Sequence, residues 1–207
     1  NSKLKPETNN YISLSGEYVN SWININTNIY SNWFRNKIEG MWSNDQTELH
    51  YTNVGKSHLA GVETMCKVQI NRHINVHGAY NYLYTSKDAD GVRLSSSSPH
   101  SGNIRAEYNT RIPRYATVVN LSGNIMGKKR FDVLDELEIK GKKVEAYYQA
   151  KVNPYCLWDL TVSQYIMQNL RITAGITNLF DYTSDRVTFN TSTSPGRNYF
   201  IACNYTL

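Results

Sequence analysis

The chain has 207 residues, enough for a single domain, with 22 Lys and Arg against 17 Asp and Glu and a net charge of +5. Only 40% of the residues are hydrophobic, and no window approaches the roughly 20 apolar residues of a membrane helix. Helical membrane spans are therefore excluded, whereas membrane strands are not, because lumen-facing polar residues lower the hydropathy of a barrel. The basic residues are scattered, which argues against a nucleic-acid-binding stripe.

Segments in which apolar and polar residues alternate recur along the whole chain, a pattern typical of β-strands. The first predicted strand, Tyr11–Asn20, runs through Ser21 directly into the second, Trp22–Phe34. The others are, in chain order, His58–Ile70, His73–Thr85, Gly102–Ile112, Tyr115–Met126, Tyr155–Ile166, Leu170–Leu179 and Arg197–Leu207. The sequence therefore predicts about nine strands.

Short turns and long loops alternate strictly between these strands. The long connections are the polar stretch Trp42–Gly55 and the loops Ser86–Ser101, Gly127–Asn153 and Phe180–Gly196. Antiparallel outer-membrane barrels have tight periplasmic turns and long extracellular loops, whereas a soluble β-sandwich has no physical reason to place all its long loops at one end. The predicted fold is therefore all-β, an antiparallel segment of a transmembrane β-barrel.

The alternation gives each strand an apolar and a polar face. In the last strand Tyr199, Ile201 and Tyr205 share the apolar face, as expected for a wall against lipid. Charged residues such as Arg105 and Glu107 fall on the polar face, where a dry core would penalise them but a hydrated lumen would not. By the same phase the sequence predicts three unpaired thiols that face outward: Cys66, Cys156 and Cys203.

Nine strands are an odd number, whereas bacterial single-chain barrels close with an even one. We therefore expect the chain to be the C-terminal part of a larger barrel, with open edges that pair with partner strands. No signal peptide stands at Asn1, although an exported protein needs one, which agrees with a processed chain or a piece of a longer protein.

Four motifs occur in the order in which TonB-dependent outer-membrane receptors have them, and the chain resembles the C-terminal half of that family. They are Leu4-Lys5-Pro6-Glu7 (an LKPE box that opens a barrel strand), Asn53-Val54-Gly55-Lys56 with Gly61-Val62-Glu63, Leu157-Trp158-Asp159-Leu160 (as in cobalamin transporters), and Thr177-Asn178-Leu179-Phe180-Asp181 with Pro195-Gly196-Arg197 (an NLFD…PGR ending). The chain departs from the family at Leu207, where an aromatic residue is usual.

The resemblance implies a barrel of about 22 strands with an N-terminal plug, of which residues 1–207 form the C-terminal wall without the plug. It implies the outer membrane of a Gram-negative bacterium and uptake of a scarce large nutrient: a ferric siderophore, haem or cobalamin. The implied partners are outer-membrane lipid and lipopolysaccharide, the remaining strands and plug, the small-molecule ligand, and the TonB complex through the missing N-terminal region. Neither nucleic acid nor a cofactor is expected.

Ligand contacts are predicted in the long loops, because these mix aromatic and polar groups as an amphipathic ligand requires. The candidates are Trp42, His50, His100 and Tyr182, and the two histidines are also the candidates for haem contact. The loop around Phe131–Lys143 is a further candidate region. Basic residues of that loop either meet lipopolysaccharide phosphates or are solvated: Lys128, Lys129, Arg130, Lys140, Lys142 and Lys143.

The sequence contains no catalytic or metal-binding motif, so no enzyme and no metal site is predicted. Asn178 and Asp181 are predicted to hydrogen-bond nearby backbone in a turn, and Gly196 to permit a close or left-handed turn. The alternative functions are a structural or adhesive outer-membrane barrel without transport and, less favoured, an outer-membrane enzyme.

Overall fold

The computed structural model describes residues 3–42, 49–53, 55–86, 98–139, 142–167, 169–184 and 195–206. Within these ranges no helix has the length and hydropathy that a membrane-spanning helix requires. The strands are β1 (Thr8–Val19), β2 (Ile23–Arg35), β3 (Ile38–Trp42), β4 (Leu49–Asn53), β5 (Lys56–Gln69), β6 (Ile74–Thr85), β7 (His100–Asn109), β8 (Thr117–Met126), β9 (Lys129–Ile139), β10 (Lys142–Val152), β11 (Tyr155–Ile166), β12 (Leu170–Thr177) and β13 (Asn198–Tyr205).

Nine of these strands form one antiparallel sheet in the order β1-β2-β5-β6-β7-β8-β11-β12-β13. Each strand of the sheet pairs with the next one along the chain. The nine strands predicted from the sequence are confirmed, with ends displaced by at most three residues. Short turns lie at one end of the sheet and the long connections at the other.

Two stretches predicted to be loops contain hairpins instead, and the prediction is wrong there. Strands β3 and β4 pair within the stretch around Trp42–Gly55, and β9 and β10 pair within Gly127–Asn153. A hairpin pairs its own backbone polar groups whatever the charge of its side chains, so the many charged residues of these stretches did not exclude strands.

The register gives the sheet two chemically distinct faces, since directly paired residues lie on the same side. One continuous row of paired residues is apolar across eight strands: Ile23, Val68, Val76, Ala106, Leu121, Leu160, Ile176 and Tyr199. A row on the opposite side is polar: Asn24, Lys67, His77, Arg105, Ser122 and Asp159. We call the first side the outer face and the second the inner face.

The nine-stranded sheet is a single layer, and neither of its faces packs against a hydrophobic core in the described part of the chain. None of the large side chains that the structure describes is fully buried, and outer-face residues such as Leu14 and Ile201 are 75% and 77% exposed. Packing is largely between neighbouring strands. On the inner face, for example, the Phe200 ring covers Gly175, its direct partner, and occupies the space that a Cβ atom there would need.

Candidate functional site

The first two motifs meet at the end of the sheet that carries the long connections. The Asn53 side chain accepts a hydrogen bond from the Lys5 amide at 2.8 Å and donates to the Lys5 carbonyl at 3.0 Å. It also donates to the Asn36 carbonyl at 2.7 Å, and the Glu7 carboxylate accepts a bond from the Ile38 amide at 2.9 Å. These five residues form what we call the first anchor, which ties the entry of β1 to the base of the β3–β4 hairpin.

Asn178 is the centre of a second anchor at the same end, and its side chain is only 5% exposed. The side-chain amide donates to the carbonyls of Tyr182 and Pro195 at 2.8 and 3.1 Å, and the side-chain oxygen accepts from the Tyr182 amide at 2.8 Å. The Asn178 backbone amide donates to the Asp159 carboxylate at 2.9 Å. The second anchor (Asp159, Asn178, Tyr182 and Pro195) therefore closes the base of the last long connection.

Asp181 joins the start of that connection to its end, just before β13. Its carboxylate accepts a hydrogen bond from the Arg197 amide at 2.7 Å. A Cβ atom on Gly196 would lie 3.1 Å from the same carboxylate, and Gly196 does not adopt a positive φ. Of the close or left-handed turn predicted at Gly196, the structure therefore shows the close approach. A hydrogen bond with the Tyr199 side chain raises the pKa of the Arg197 guanidinium. The predicted hydrogen bonds of Asn178 and Asp181 to nearby backbone are thus confirmed as well.

The second anchor holds Tyr182 against Tyr155. The two rings stack with centroids 4.9 Å apart and an angle of 9° between their planes. Tyr155 is the first residue of β11 and pairs with Met126 on the inner face. The stacked pair therefore presents an aromatic surface on the inner face at the end with the long connections, which we call the mouth.

Charged side chains line the inner face nearer the short turns. Lys67 is paired with His77, and His77 with Arg105. The Arg105 guanidinium donates to the Asn120 oxygen at 2.9 Å and forms an ion pair with Glu107 at 3.4 Å. Two permanent cations thus flank a histidine on neighbouring strands, and one of them has a carboxylate partner.

The four predicted ligand residues are distributed over different parts of the fold. Trp42 ends β3 and His50 belongs to β4, so both lie in one hairpin. His100, predicted in a loop, is instead the first residue of β7 and pairs with Tyr82 on the outer face. Tyr182 stacks on Tyr155 at the mouth on the inner face, while the side chains of Trp42 and His50 lie outside the part that the structure describes. In the described ranges, no three His, Cys, Asp or Glu residues are grouped to hold a metal ion.

The sequence does not identify two of the residues that form the mouth and its anchor. It predicts Tyr155 as the start of a strand and Asp159 as part of the Leu157–Leu160 motif. The position of Asp159 in that motif was a usable indication, because a carboxylate in a strand can accept a hydrogen bond from a backbone amide where the neighbouring strand ends. Nothing local indicates the stacking of Tyr155, because its partner follows another strand.

A family profile described as "TonB dependent receptor-like, beta-barrel" matches residues 1–179. This chain belongs to the TonB-dependent receptor family. No curated protein matches it. Homologous receptors of this family are outer-membrane β-barrels, and the all-β antiparallel sheet agrees with that architecture.

Solved structures share the fold of the chain at low sequence identity. The siderophore receptor PirA of Acinetobacter baumannii is 18% identical with a TM-score of 0.76, and 99% of this chain covers 32% of that protein. A ferric enterobactin receptor of Pseudomonas aeruginosa is 20% identical with a TM-score of 0.74, and the match covers 99% of this chain and 32% of that protein. The copper transporter OprC is 14% identical with a TM-score of 0.79, and the match covers 100% of this chain and 32% of that protein. The chain thus spans about a third of the length of the receptors it matches.

Proposed function

We propose that this chain forms the C-terminal barrel wall and part of the ligand-binding mouth of an outer-membrane receptor that takes up a ferric siderophore. The observation that carries the proposal is the stacked pair of Tyr155 and Tyr182 on the inner face. Two side-chain hydrogen bonds of Asn178 hold the Tyr182 backbone in place. A preformed aromatic surface loses little freedom when a large ligand binds, which favours affinity.

The chemistry of the mouth favours a ligand that is partly aromatic. Tyrosine rings offer flat apolar contact together with hydroxyl groups. Iron chelates built on phenolate rings present matching flat surfaces. Siderophore receptors are among the proteins of similar fold, which supports this class of ligand.

Haem and cobalamin are the alternative nutrients. Of the two candidate histidines, His100 lies on the outer face, whereas His77, which was not a candidate, lies on the inner face between Lys67 and Arg105. We propose Trp42, His50 and Tyr182 as ligand contacts from the mouth side, with His100 in a peripheral role.

Transport would need the rest of the protein. We propose that a plug domain and the TonB complex supply the energy-coupled step, while this part of the wall captures the ligand. The second candidate function is a structural or adhesive barrel, which the exposed apolar outer face fits equally well. We propose no enzymatic role.

Ligand binding to the full-length receptor tests the proposal. Ferric catecholate and hydroxamate chelates, haem and cobalamin are titrated in parallel, and we expect a ferric siderophore to bind with the highest affinity. Tyr182→Ala should weaken that binding by about tenfold, as loss of one aromatic contact predicts, while the outer-face variant Tyr199→Ala should not. If the receptor binds none of these ligands, the uptake function is contradicted and the structural or adhesive barrel becomes the better explanation.

A further inference from the structure

The end of the sheet opposite the mouth is basic. The short connections at this end contain no acidic residue in their sequences: 20–22, 70–73, 110–116 and 167–169. Arg72, Arg111 and Arg114 lie in two of them and are exposed. Because β6 pairs with β7, these two turns are neighbours, about 9–10 Å apart at two strand spacings.

A chain of hydrogen bonds joins the two turns that carry the arginines. The Arg72 Nε donates to the His73 Nε2 at 2.8 Å, and the His73 Nδ1 donates to the Asn109 carbonyl at 2.8 Å. The side-chain oxygen of Asn109 accepts a bond from the Arg111 backbone amide at 2.8 Å. The turns are therefore held side by side, and the outer nitrogens of the Arg72 guanidinium take no part in these bonds.

The positive charges of the turns are not neutralised within the described part of the chain, where none of the three guanidiniums forms an ion pair. The next carboxylate along β7, that of Glu107, already pairs with Arg105. The short-turn end thus presents three guanidinium groups to an external anion.

Two of these arginines adopt a backbone conformation that suits glycine better. The φ angle is 52° at Arg111 and 68° at Arg114, in the left-handed region that L-residues with a long side chain seldom adopt. Strained positions of this kind cluster at functional sites, where the side chain itself is needed. The strain is a second reason, independent of charge, to look for a ligand at these turns.

We propose that the arginines of the short turns bind the carboxylates of cell-wall peptidoglycan. The inference rests on the proposed function in one respect, that the barrel lies in the outer membrane with its short turns in the periplasm. A planar guanidinium binds a carboxylate through two parallel hydrogen bonds, and peptidoglycan repeats carboxylates along a chain of sugars. The ring of Tyr115, next to Arg114, is 54% exposed and offers a flat apolar surface to a sugar ring.

Glycine substitutions remove the charges while easing the turn. The double variant, Arg111→Gly with Arg114→Gly, relieves the left-handed strain, so its melting temperature should equal or exceed that of the unmodified receptor. Met167→Gly is the matched control, because Met167 has a φ of 60° in another short turn and carries no charge.

The experiment is co-sedimentation of detergent-solubilised full-length receptor with purified peptidoglycan sacculi. We expect the unmodified receptor and Met167→Gly to sediment with the sacculi at low salt, and the double variant to remain mostly in the supernatant. Added salt should release the bound receptor, because ions screen charge pairs. Absence of sedimentation of the unmodified receptor, or equal sedimentation of all three proteins, overturns the proposal.

A second measurement needs no variant and decides the question if the double variant does not fold. Sacculi whose carboxylates have been converted to amides should retain much less of the unmodified receptor. Soluble muropeptides should displace the receptor from untreated sacculi, whereas glycerol phosphate, a mimic of lipid head groups, should not. Equal retention on amidated sacculi, or equal displacement by glycerol phosphate, overturns the proposal.

Titration of the same preparations with a ferric siderophore separates the two proposals. A receptor that binds the siderophore but no sacculi contradicts this inference alone. A receptor that binds sacculi but no siderophore, haem or cobalamin contradicts the uptake function alone.

Discussion

The side chains on the two faces of the nine-stranded sheet make different kinds of interaction. On the inner face polar side chains bond one another across neighbouring strands, as Ser15 does with Asn28 at 2.9 Å and Asn24 with Glu17 at 3.0 Å. On the outer face large apolar side chains such as Leu14 and Ile201 remain exposed. These polar side chains of the inner face therefore find partners within the chain, whereas the exposed apolar side chains of the outer face need an apolar medium. A slip of one residue in register would exchange the two.

The largest effect is expected from a charge placed on the outer face. Leu121 and Asn124 both belong to β8 but lie on opposite faces. Leu121→Arg should lower the free energy of unfolding in lipid vesicles by about 2–4 kcal/mol or prevent assembly. Asn124→Arg should be tolerated, because its side chain enters a hydrated lumen and its direct partners, Asn103 and Leu157, are uncharged. Denaturant unfolding in vesicles measures both, and equal losses would remove the difference between the faces.

The second anchor should be the most sensitive polar part of the wall. Asn178→Ala removes three side-chain hydrogen bonds and leaves the carbonyls of Tyr182 and Pro195 without them. A loss of about 1–3 kcal/mol is expected, together with weaker ligand binding through the displaced Tyr182. Asn124→Ala, an inner-face change in the middle of the wall, is the control for thermal unfolding. Equal melting temperatures for the two variants would contradict the account of the anchor.

A smaller effect is expected where an inner-face aromatic ring covers a glycine. Gly175→Ala places a Cβ atom against Phe200, its direct partner, and should cost about 1–3 kcal/mol as overpacking does. Adding Phe200→Leu should recover part of that loss, because the two residues touch and their effects are not additive. Purely additive losses in unfolding experiments would show that the two residues do not pack together.

The smallest effect is expected from the exposed ion pair of the inner face. Arg105 is 54% exposed and Glu107 30% exposed, so solvent screens their attraction. Arg105→Gln should change the free energy of unfolding by less than about 1 kcal/mol, while reducing the positive potential of the lumen. A large loss of stability would mean that the lumen around Arg105 is far drier than a hydrated pore.

The strands of the wall could be predicted because period-two alternation and loop length are local signals. The strand from Tyr155 to Ile166 was predicted with its exact ends. The hairpins β3–β4 and β9–β10 are not evident from the sequence, because charged and polar composition is typical of loops as well. Their backbone pairing does not depend on an apolar face, so the composition carried no information about it.

The mouth was only partly predictable. The hydrogen bonds of Asn178 and Asp181 are predictable because Asn and Asp side chains commonly bond backbone groups in turns. Tyr182 is predictable as a ligand contact because it lies in a long loop. The stacking of Tyr182 on Tyr155, and the hydrogen bond from Asn178 to Asp159, join segments on different strands. The outward position of His100 could have been deduced from the register of β7 with β6, but the strand had been expected to start two residues later.

The central claim is that the outer face meets lipid and the inner face water, and a scan along β8 tests it most directly. Single cysteines in a cysteine-free full-length receptor are spin-labelled in vesicles, and collision with oxygen is compared with collision with a water-soluble nickel chelate. Oxygen contact should peak at Val119, Leu121 and Ile125, and chelate contact at Val118, Asn120, Ser122 and Asn124. Gly123 is left unlabelled, because the Trp158 ring occupies the space of a side chain there. A profile without a two-residue period, or with the opposite phase, would contradict the account.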